Sequence, residues 1–410
     1  MHKSLIALSV LGTAGVAFAE ENCKPEPPAT CYTDDCRSCY CLGPDNTMVN
    51  APVNPRTCDG DWIINVAGLY WNAQQDGMEY AIDNHVRTPD ITDIATEFPQ
   101  ILQLNNLVDA EYKTPDFDWD WGFKADLGYN FTCDGWDIGI AWTWYRGKAN
   151  DHIEAELDDN HTLLPLWSAF SNIYGSVLYA SDIESHWKLN LNLIDIELGR
   201  EYWTSKFLSF RPFVGLRVAH IDQNFEILHK GGSWSAQQTV GVSVQDAYNN
   251  EIDLENDFKG VGIRSGFDTT WNFGCGWGLY GNFAASVVYG RFSIDQDEDI
   301  RLATTPFDKI KVLEAKESFK ASRAMLDFAL GIQWSTMLCE CQYGLTVQLG
   351  WEKHLFFHQN QLWRTNRIGD SADAVSLFAG LPNNSGENVF FQRRGTLDTQ
   401  GFTLSVQFEF

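Results

Sequence analysis

Phe117-Asp118-Trp119-Asp120-Trp121-Gly122-Phe123-Lys124-Ala125-Asp126-Leu127-Gly128-Tyr129-Asn130-Phe131 alternates apolar residues with polar or small ones without an error. A strand sends successive side chains to opposite sides, so this segment has one greasy face and one wet face. It is long for a strand of a soluble domain, where about five or six residues are usual. Aromatics crowd both ends, which suits a tilted strand crossing a bilayer between two aromatic girdles. A soluble sandwich could contain one such strand. The rest of the chain decides.

The first nineteen residues read as a secretory signal. Lys3 supplies the positive region, Leu5 to Val16 the apolar stretch, and Ala17-Phe18-Ala19 a cleavage site before Glu20. That stretch is too short to span a membrane as a helix, and no later one is long enough. The chain reads as exported, and any membrane residence must come from strands. At the far end, Phe402, Leu404, Val406, Phe408 and Phe410 alternate with Thr403, Ser405, Gln407 and Glu409. A terminal strand closing on Phe resembles the insertion signal of bacterial outer-membrane barrels. It implies two partners, the barrel-assembly machinery and outer-membrane lipid.

The pattern recurs in pairs. Trp136 to Trp144 alternates after a Thr132-Cys133-Asp134-Gly135 turn. Trp187 to Tyr202 precedes Phe207 to Ile221, and its apolar set changes phase between Leu193 and Ile194, which predicts a bulge. Phe258 to Phe273 and Trp277 to Phe292 flank Gly274-Cys275-Gly276, and Arg323 to Trp334 and Tyr343 to Leu355 flank Met337 to Gln342. Trp62 to Ala73, apolar on both faces, opens the set, and Gly401 to Phe410 closes it. Turns of roughly four to eight residues alternate with connections of about thirty to forty-five, the asymmetry of outer-membrane barrels. The long connections have room for further hairpins, at Val240, Val242 and Val244 or at Ile310 and Val312. One reads as helical, because Leu163, Leu166, Trp167, Phe170, Ile173, Tyr174 and Val177 recur at three- and four-residue spacing. Such a helix would narrow the barrel mouth or cap the external loops.

Composition agrees. Aromatics make up 14% of the chain, yet mean hydropathy is only −0.26, as expected when alternate residues face lipid. A formal charge of −26 argues against nucleic acid as a partner, because phosphate binding needs clustered Lys and Arg.

Asn192-Leu193-Ile194-Asp195-Ile196-Glu197-Leu198-Gly199-Arg200-Glu201-Tyr202, followed by Arg211-Pro212-Phe213-Val214-Gly215-Leu216-Arg217, resembles a known family. Asp257-Phe258-Lys259-Gly260-Val261-Gly262 and Leu279-Tyr280-Gly281-Asn282, then Tyr289-Gly290, add to the likeness. So does Gly122-Phe123-Lys124 ahead of Gly135-Trp136-Asp137. The family is the major outer membrane proteins of Legionella- and chlamydia-type bacteria. The resemblance covers about Trp119 to Phe410 and implies a porin barrel whose cysteines cross-link the envelope. It transfers no catalytic motif.

Cys23, Cys31, Cys36, Cys39, Cys41 and Cys58 lie in the Pro-rich stretch after the signal, and Cys133, Cys275, Cys339 and Cys341 fall in short turns between paired strands. If those turns face the periplasm, every thiol lies where disulfides persist. The expectation is a disulfide network on that rim, within the chain, between copies, or with other Cys-rich envelope proteins. Local bridges stapling the tail are the plainer alternative. Cys36-x-x-Cys39-x-Cys41 lacks the nearby His of a common zinc set, so no metal is expected.

Opposite the lipid face stand Asp118, Asp120, Lys124, Asp126, Asp137, Lys188, Arg211, Arg217, Arg264, Asp268, Arg323, Asp327 and Glu352. Charge in a dry lumen is costly unless paired. Mixed signs therefore mean a salt-bridged plug or a wet channel, with acidity leaning towards cations. His354 and His358 have i, i+4 spacing without HExxH, and no G-x-S-x-G or Walker motif occurs, so no catalysis and no cofactor are expected.

The sequence thus predicts an all-β protein, a transmembrane antiparallel β-barrel of at least ten strands (ten to sixteen) with short periplasmic turns and long extracellular loops. Residues 1–19 form the signal, 20–60 a Cys/Pro-rich periplasmic segment, and 61–410 the barrel. The function expected is a porin passing small hydrophilic solutes and ions, cross-linked into the envelope. The alternative is a structural or adhesin barrel with a plugged lumen and host-contacting loops.

Overall fold

In the computed structural model, residues 51–54, 61–85, 107–131, 135–155, 161–168, 180–236, 245–302, 306–338, 343–368 and 387–410 are described. Among them every regular element is a strand. In chain order these are β1 (Asp61–Gln75), β2 (Ala81–Asn84), β3 (Glu111–Lys113), β4 (Asp116–Phe117), β5 (Trp119–Asn130), β6 (Trp136–Glu154), β7 (Thr162–Pro165), β8 (Asp182–Arg200) and β9 (Tyr202–Trp203). Then follow β10 (Leu208–Ala236), β11 (Gln245–Gly274), β12 (Trp277–Leu302), β13 (Lys309–Leu338), β14 (Tyr343–Asn360), β15 (Trp363–Ile368), β16 (Glu387–Gln392) and β17 (Gly395–Glu409).

Ten of them, β1, β5, β6, β8, β10, β11, β12, β13, β14 and β17, pair antiparallel in a closed ring. These are the ten segments that alternation marks in the sequence. Closure comes from the terminal strand, where Leu404 faces Gly68 and Val406 faces Val66. A closed ring leaves no unpaired edge, as a strand protein in lipid requires. Outside the ring, β2, β3 and β7 form a small sheet, and β15 pairs with β16. Both continue from the ring ends opposite the short turns, here called the loop end.

Near the short turns the alternation points apolar residues outward. Val66, Leu127, Ile140, Ile196, Leu216, Ile263, Leu330 and Leu404 are all exposed on the outer face. Rings gather at its borders: Tyr70 lies against Trp119 and Trp121, and Trp351 meets Phe402 edge-on.

The phase change at Leu193–Ile194 is not a bulge. Ile194 pairs with Val218 and Leu193 with Ala219 in unbroken register, and the pairing with β6 is equally regular. Ile194, Ile196 and Leu198 are exposed, whereas Trp187, Leu189, Leu191 and Leu193 are buried inside. The strand runs straight while its apolar residues move from the outer face to the inner one. Neighbouring strands do likewise: Val261 is outward but Phe258 and Leu254 inward, and Tyr289 outward but Phe292 and Ile294 inward. The doubly apolar β1 is the same device, with Val66 outside and Leu69 and Trp71 inside.

Two long connections expected from the sequence are strand extensions. β10 and β11 stay paired from Leu208–Trp271 to Ala236–Gln245, and β12 and β13 out to Arg301–Lys309, so Ile310 belongs to β13. Val240, Val242 and Val244 lie outside the described residues. Of the segment expected to be helical, only the start is described, and it begins as a strand. Leu163 lies in β7 and is buried, as is Trp167, while residues 169–179 lie outside the described residues.

Candidate functional site: a charged belt beside an apolar plug

Within the lipid-facing tier, the lumen is crossed by one connected set of charges. Arg217 of β10 holds Asp195 of β8 through two bonds of 2.7 Å and reaches Asp327 of β13 at 2.8 Å. Arg264 of β11 touches Asp327 at 3.0 Å, Glu197 at 3.2 Å and Asp195 at 3.3 Å. Arg211 binds Asp137 and Asp268, each at 2.6 Å, and Glu197 at 3.4 Å. On β14, the strand next to β13, His354 joins Asp327 at 2.8 Å and Glu352 at 3.3 Å, and Glu352 faces Lys124 of β5 at 3.8 Å. Asp126 accepts from Asn65 Nδ2 at 2.6 Å.

This arrangement follows from the pleat. Seven carboxylates and four Lys or Arg side chains share the inward phase of seven strands, so each cation finds at least one anion. Burying such ions is tolerable only when they are paired and further hydrogen-bonded. Arg217 is 2% exposed and meets that condition with Asp195, Asp327 and Ser286. Around the belt lies a cavity of about 350 Å³, whose lining reaches Asn54, Asn130, Glu201 and Glu409 at the short-turn end. Asn54 donates to Glu201 at 2.9 Å, and Pro52 bridges Tyr202, which docks residues 51–54 at that mouth.

Towards the loop end the lumen turns apolar. Trp71 marks the border: its ring packs on His354 at 4.7 Å and on Tyr145 at 5.5 Å, and Nε1 donates to Thr403. Beyond it, Trp187, Phe225, Phe258, Phe292, Phe356 and Trp167 are all fully or nearly fully buried in one cluster. Phe258 and Phe292 lie 4.6 Å apart, and Trp167 meets Phe225 edge-on at 6.0 Å. A buried ring of this size contributes roughly 1.5–3 kcal/mol relative to exposure. Side chains therefore fill the barrel at this level. Trp167 is fastened by donating Nε1 to the Glu79 carbonyl at 2.7 Å and by Arg364 stacked over its ring at 5.1 Å. Burial, with help from Arg393, lowers Arg364 to about 10.

The belt unites nine of the residues expected to line the pore: Lys124, Asp126, Asp137, Arg211, Arg217, Arg264, Asp268, Asp327 and Glu352, the last beside His354. Four others lie elsewhere. Lys188 is a correction: it sits on the outer face of the extended strand, paired with Glu226 at 3.2 Å, because Trp187 and Leu189 take the inner phase there. Arg323 stacks over Phe292 at 4.8 Å, at the plug rather than in the belt. Asp120, which accepts from the Lys148 backbone at 2.9 Å, is level with Trp71. Asp118 is exposed between β4 and β5. Sequence reasoning missed Asp195, Glu197 and His354. The first two alternate with Ile194, Ile196 and Leu198, a signal that the supposed bulge obscured.

Cys275 is disulfide-bonded and adopts φ +54° between Gly274 and Gly276, both also at positive φ. The other nine cysteines, Cys23, Cys31, Cys36, Cys39, Cys41, Cys58, Cys133, Cys339 and Cys341, lie outside the described residues, as do residues 1–50. Phe402, Leu404, Val406, Phe408 and Phe410 are all exposed on the lipid face.

A closed antiparallel ring, apolar outside and charged inside at one level, defines a bacterial outer-membrane β-barrel. Over residues 55–410 the chain matches the family described as Legionella pneumophila major outer membrane protein precursor, and it belongs to that family. No curated protein sequence matches it. Among solved structures it is similar to the outer membrane protease OmpT from Escherichia coli, at 10% identity and TM-score 0.34, over 89% of this chain and 98% of that one. The attachment invasion locus protein Ail of Yersinia pestis is similar at 8% identity and TM-score 0.23, over 86% and 99%. A Pseudomonas aeruginosa FadL homologue is similar at 7% identity and TM-score 0.22, over 86% and 90%. At these values none of the three bears on this chain's activity.

Proposed function

We propose that the chain is a non-enzymatic structural and surface-displaying barrel of the outer membrane whose lumen is closed at rest. Its short turns and N-terminal segment face the periplasm, and the extended strands project outside. One observation carries this reading: the apolar cluster from Trp71 to Phe292 fills the barrel towards the loop end. Full-length protein reconstituted in planar bilayers is expected to be electrically silent. Stepwise conductance from the wild-type chain would overturn the closed reading.

A second reading, a porin for small hydrophilic solutes and ions, is favoured by the charged cavity that reaches the short-turn mouth. On that reading the plug is a gate, since apolar constrictions stop ions by excluding water. The excess of carboxylates in the belt would then favour cations. Cross-linking into the envelope through the rim cysteines accompanies either reading, and the Cys275 disulfide supports an oxidising location for the short turns.

A further inference from the structure

Where the outer face of the ring changes from apolar to polar, cations line up across adjacent strands. Lys259 of β11 is directly opposite Arg291 of β12, and Arg291 is directly opposite Lys320 of β13. His220 of β10 continues the row beside Lys259. All of Lys259, Arg291 and Lys320 are exposed, and among the described residues none forms an ion pair with a carboxylate. His220 Nε2 lies 2.7 Å from the Asp222 carboxylate.

The neighbouring rows fix the depth. One step towards the bilayer, on the same face, Val218, Val261 and Tyr289 pair in line and belong to the lipid-facing surface. One step away from it, Asp222 pairs with Asp257. The cations thus sit at the edge of the apolar band, in a chain of net charge −26.

Like charges placed directly opposite each other destabilise a sheet unless an anion lies between them. Strands are spaced by roughly 4.8 Å, so three such side chains converge over about 10 Å of membrane edge. Arg offers paired donors to phosphate oxygens, and flanking Lys adds point charge. Basic clusters at a headgroup level recognise anionic lipid.

We propose that Lys259, Arg291 and Lys320 form a binding row for the phosphate headgroup of a phosphorylated lipid in the leaflet at the loop end. The acyl chains of that lipid lie along Val261, Tyr289 and Ile263, and the acidic tier beyond the row repels any anion seated further out.

Native mass spectrometry of the full-length, detergent-solubilised protein tests this, with bisphosphorylated lipid A and its dephosphorylated form as probes. Wild type is expected to retain the phosphorylated form with a preference on the order of a hundredfold. The Lys259→Gln/Arg291→Gln/Lys320→Gln variant should lose that preference, while Lys259→Arg/Lys320→Arg keeps it. Folding of each variant is checked by heat-modifiable gel mobility. Equal retention of both lipids by wild type, or an unchanged preference in the folded Gln variant, overturns the proposal. So does full displacement of the lipid by inorganic phosphate, which marks a generic anion site. Retention of an acidic peptide in place of lipid also overturns it, as that marks a protein-docking surface.

Discussion

Arg217 and Asp327 meet at 2.8 Å although β11 and β12 separate their strands in the ring. Neighbouring strands are joined by their backbones, but only a contact through the lumen can link β10 with β13. The same guanidinium holds Asp195 on β8. The belt is therefore a set of transverse ties, and its strength should show when one is cut.

Arg217→Ala removes the more deeply buried of the two guanidinium groups that Asp195 and Asp327 share, leaving Arg264 as their remaining common cation. A loss of about 3–5 kcal/mol is expected, measured by urea unfolding of the barrel in lipid vesicles. Lys188→Ala, on the outer face, should change stability by less than about 1 kcal/mol. Equal effects would mean that the belt ties nothing.

Trp187→Ala removes the largest side chain on the β8 side of the plug. A cost of about 3–5 kcal/mol is expected from the cavity it leaves. In planar bilayers the variant should conduct where wild type does not, and reversal potentials in a salt gradient should favour cations. A folded variant that stays silent would show that Trp187 does not obstruct the lumen.

Leu404→Arg places a charge on the lipid face of the closing strand. Assembly should fall by an amount matching roughly 2–4 kcal/mol if the site lies near mid-bilayer. Thr403→Ser, one residue away and inward, should assemble normally. Outer-membrane fractionation with heat-modifiable mobility reads both.

Envelope isolated under thiol-blocking conditions should give multimers on non-reducing gels that collapse with reductant. Cys275→Ser should leave these multimers intact if its own disulfide is within the chain. Monomers under both conditions would remove cross-linking from the proposed function.

Alternation alone located all ten ring strands, because period-two patterning survives wherever one side of a strand meets lipid and the other water. The closing role of Leu404 and Val406 was legible for the same reason. What misled was the inversion at Leu193–Ile194, since an apolar phase change has two causes. A bulge inserts a residue, whereas here the surroundings change and the strand does not. Register decides between them, and register is not written in one strand. Lys188 was misplaced and Asp195 overlooked through that single ambiguity. The spacing from Leu163 to Val177 is answered only at its start, where Leu163 belongs to the strand β7 and Leu163 and Trp167 are buried; the rest lies outside the described residues.

β10 is 29 residues long, a path of roughly 95 Å, or about 70 Å of height at usual barrel tilts, against an apolar band near 25 Å. Among the described residues, the part of β10 beyond the apolar band is thus stiff, hydrogen-bonded strand. With the loop end outside, as proposed, an antibody or protease reaching this part meets hydrogen-bonded backbone with every second side chain turned away. Sequence drift in this region is then free at alternate positions only, and antigenic change should be written in steps of two.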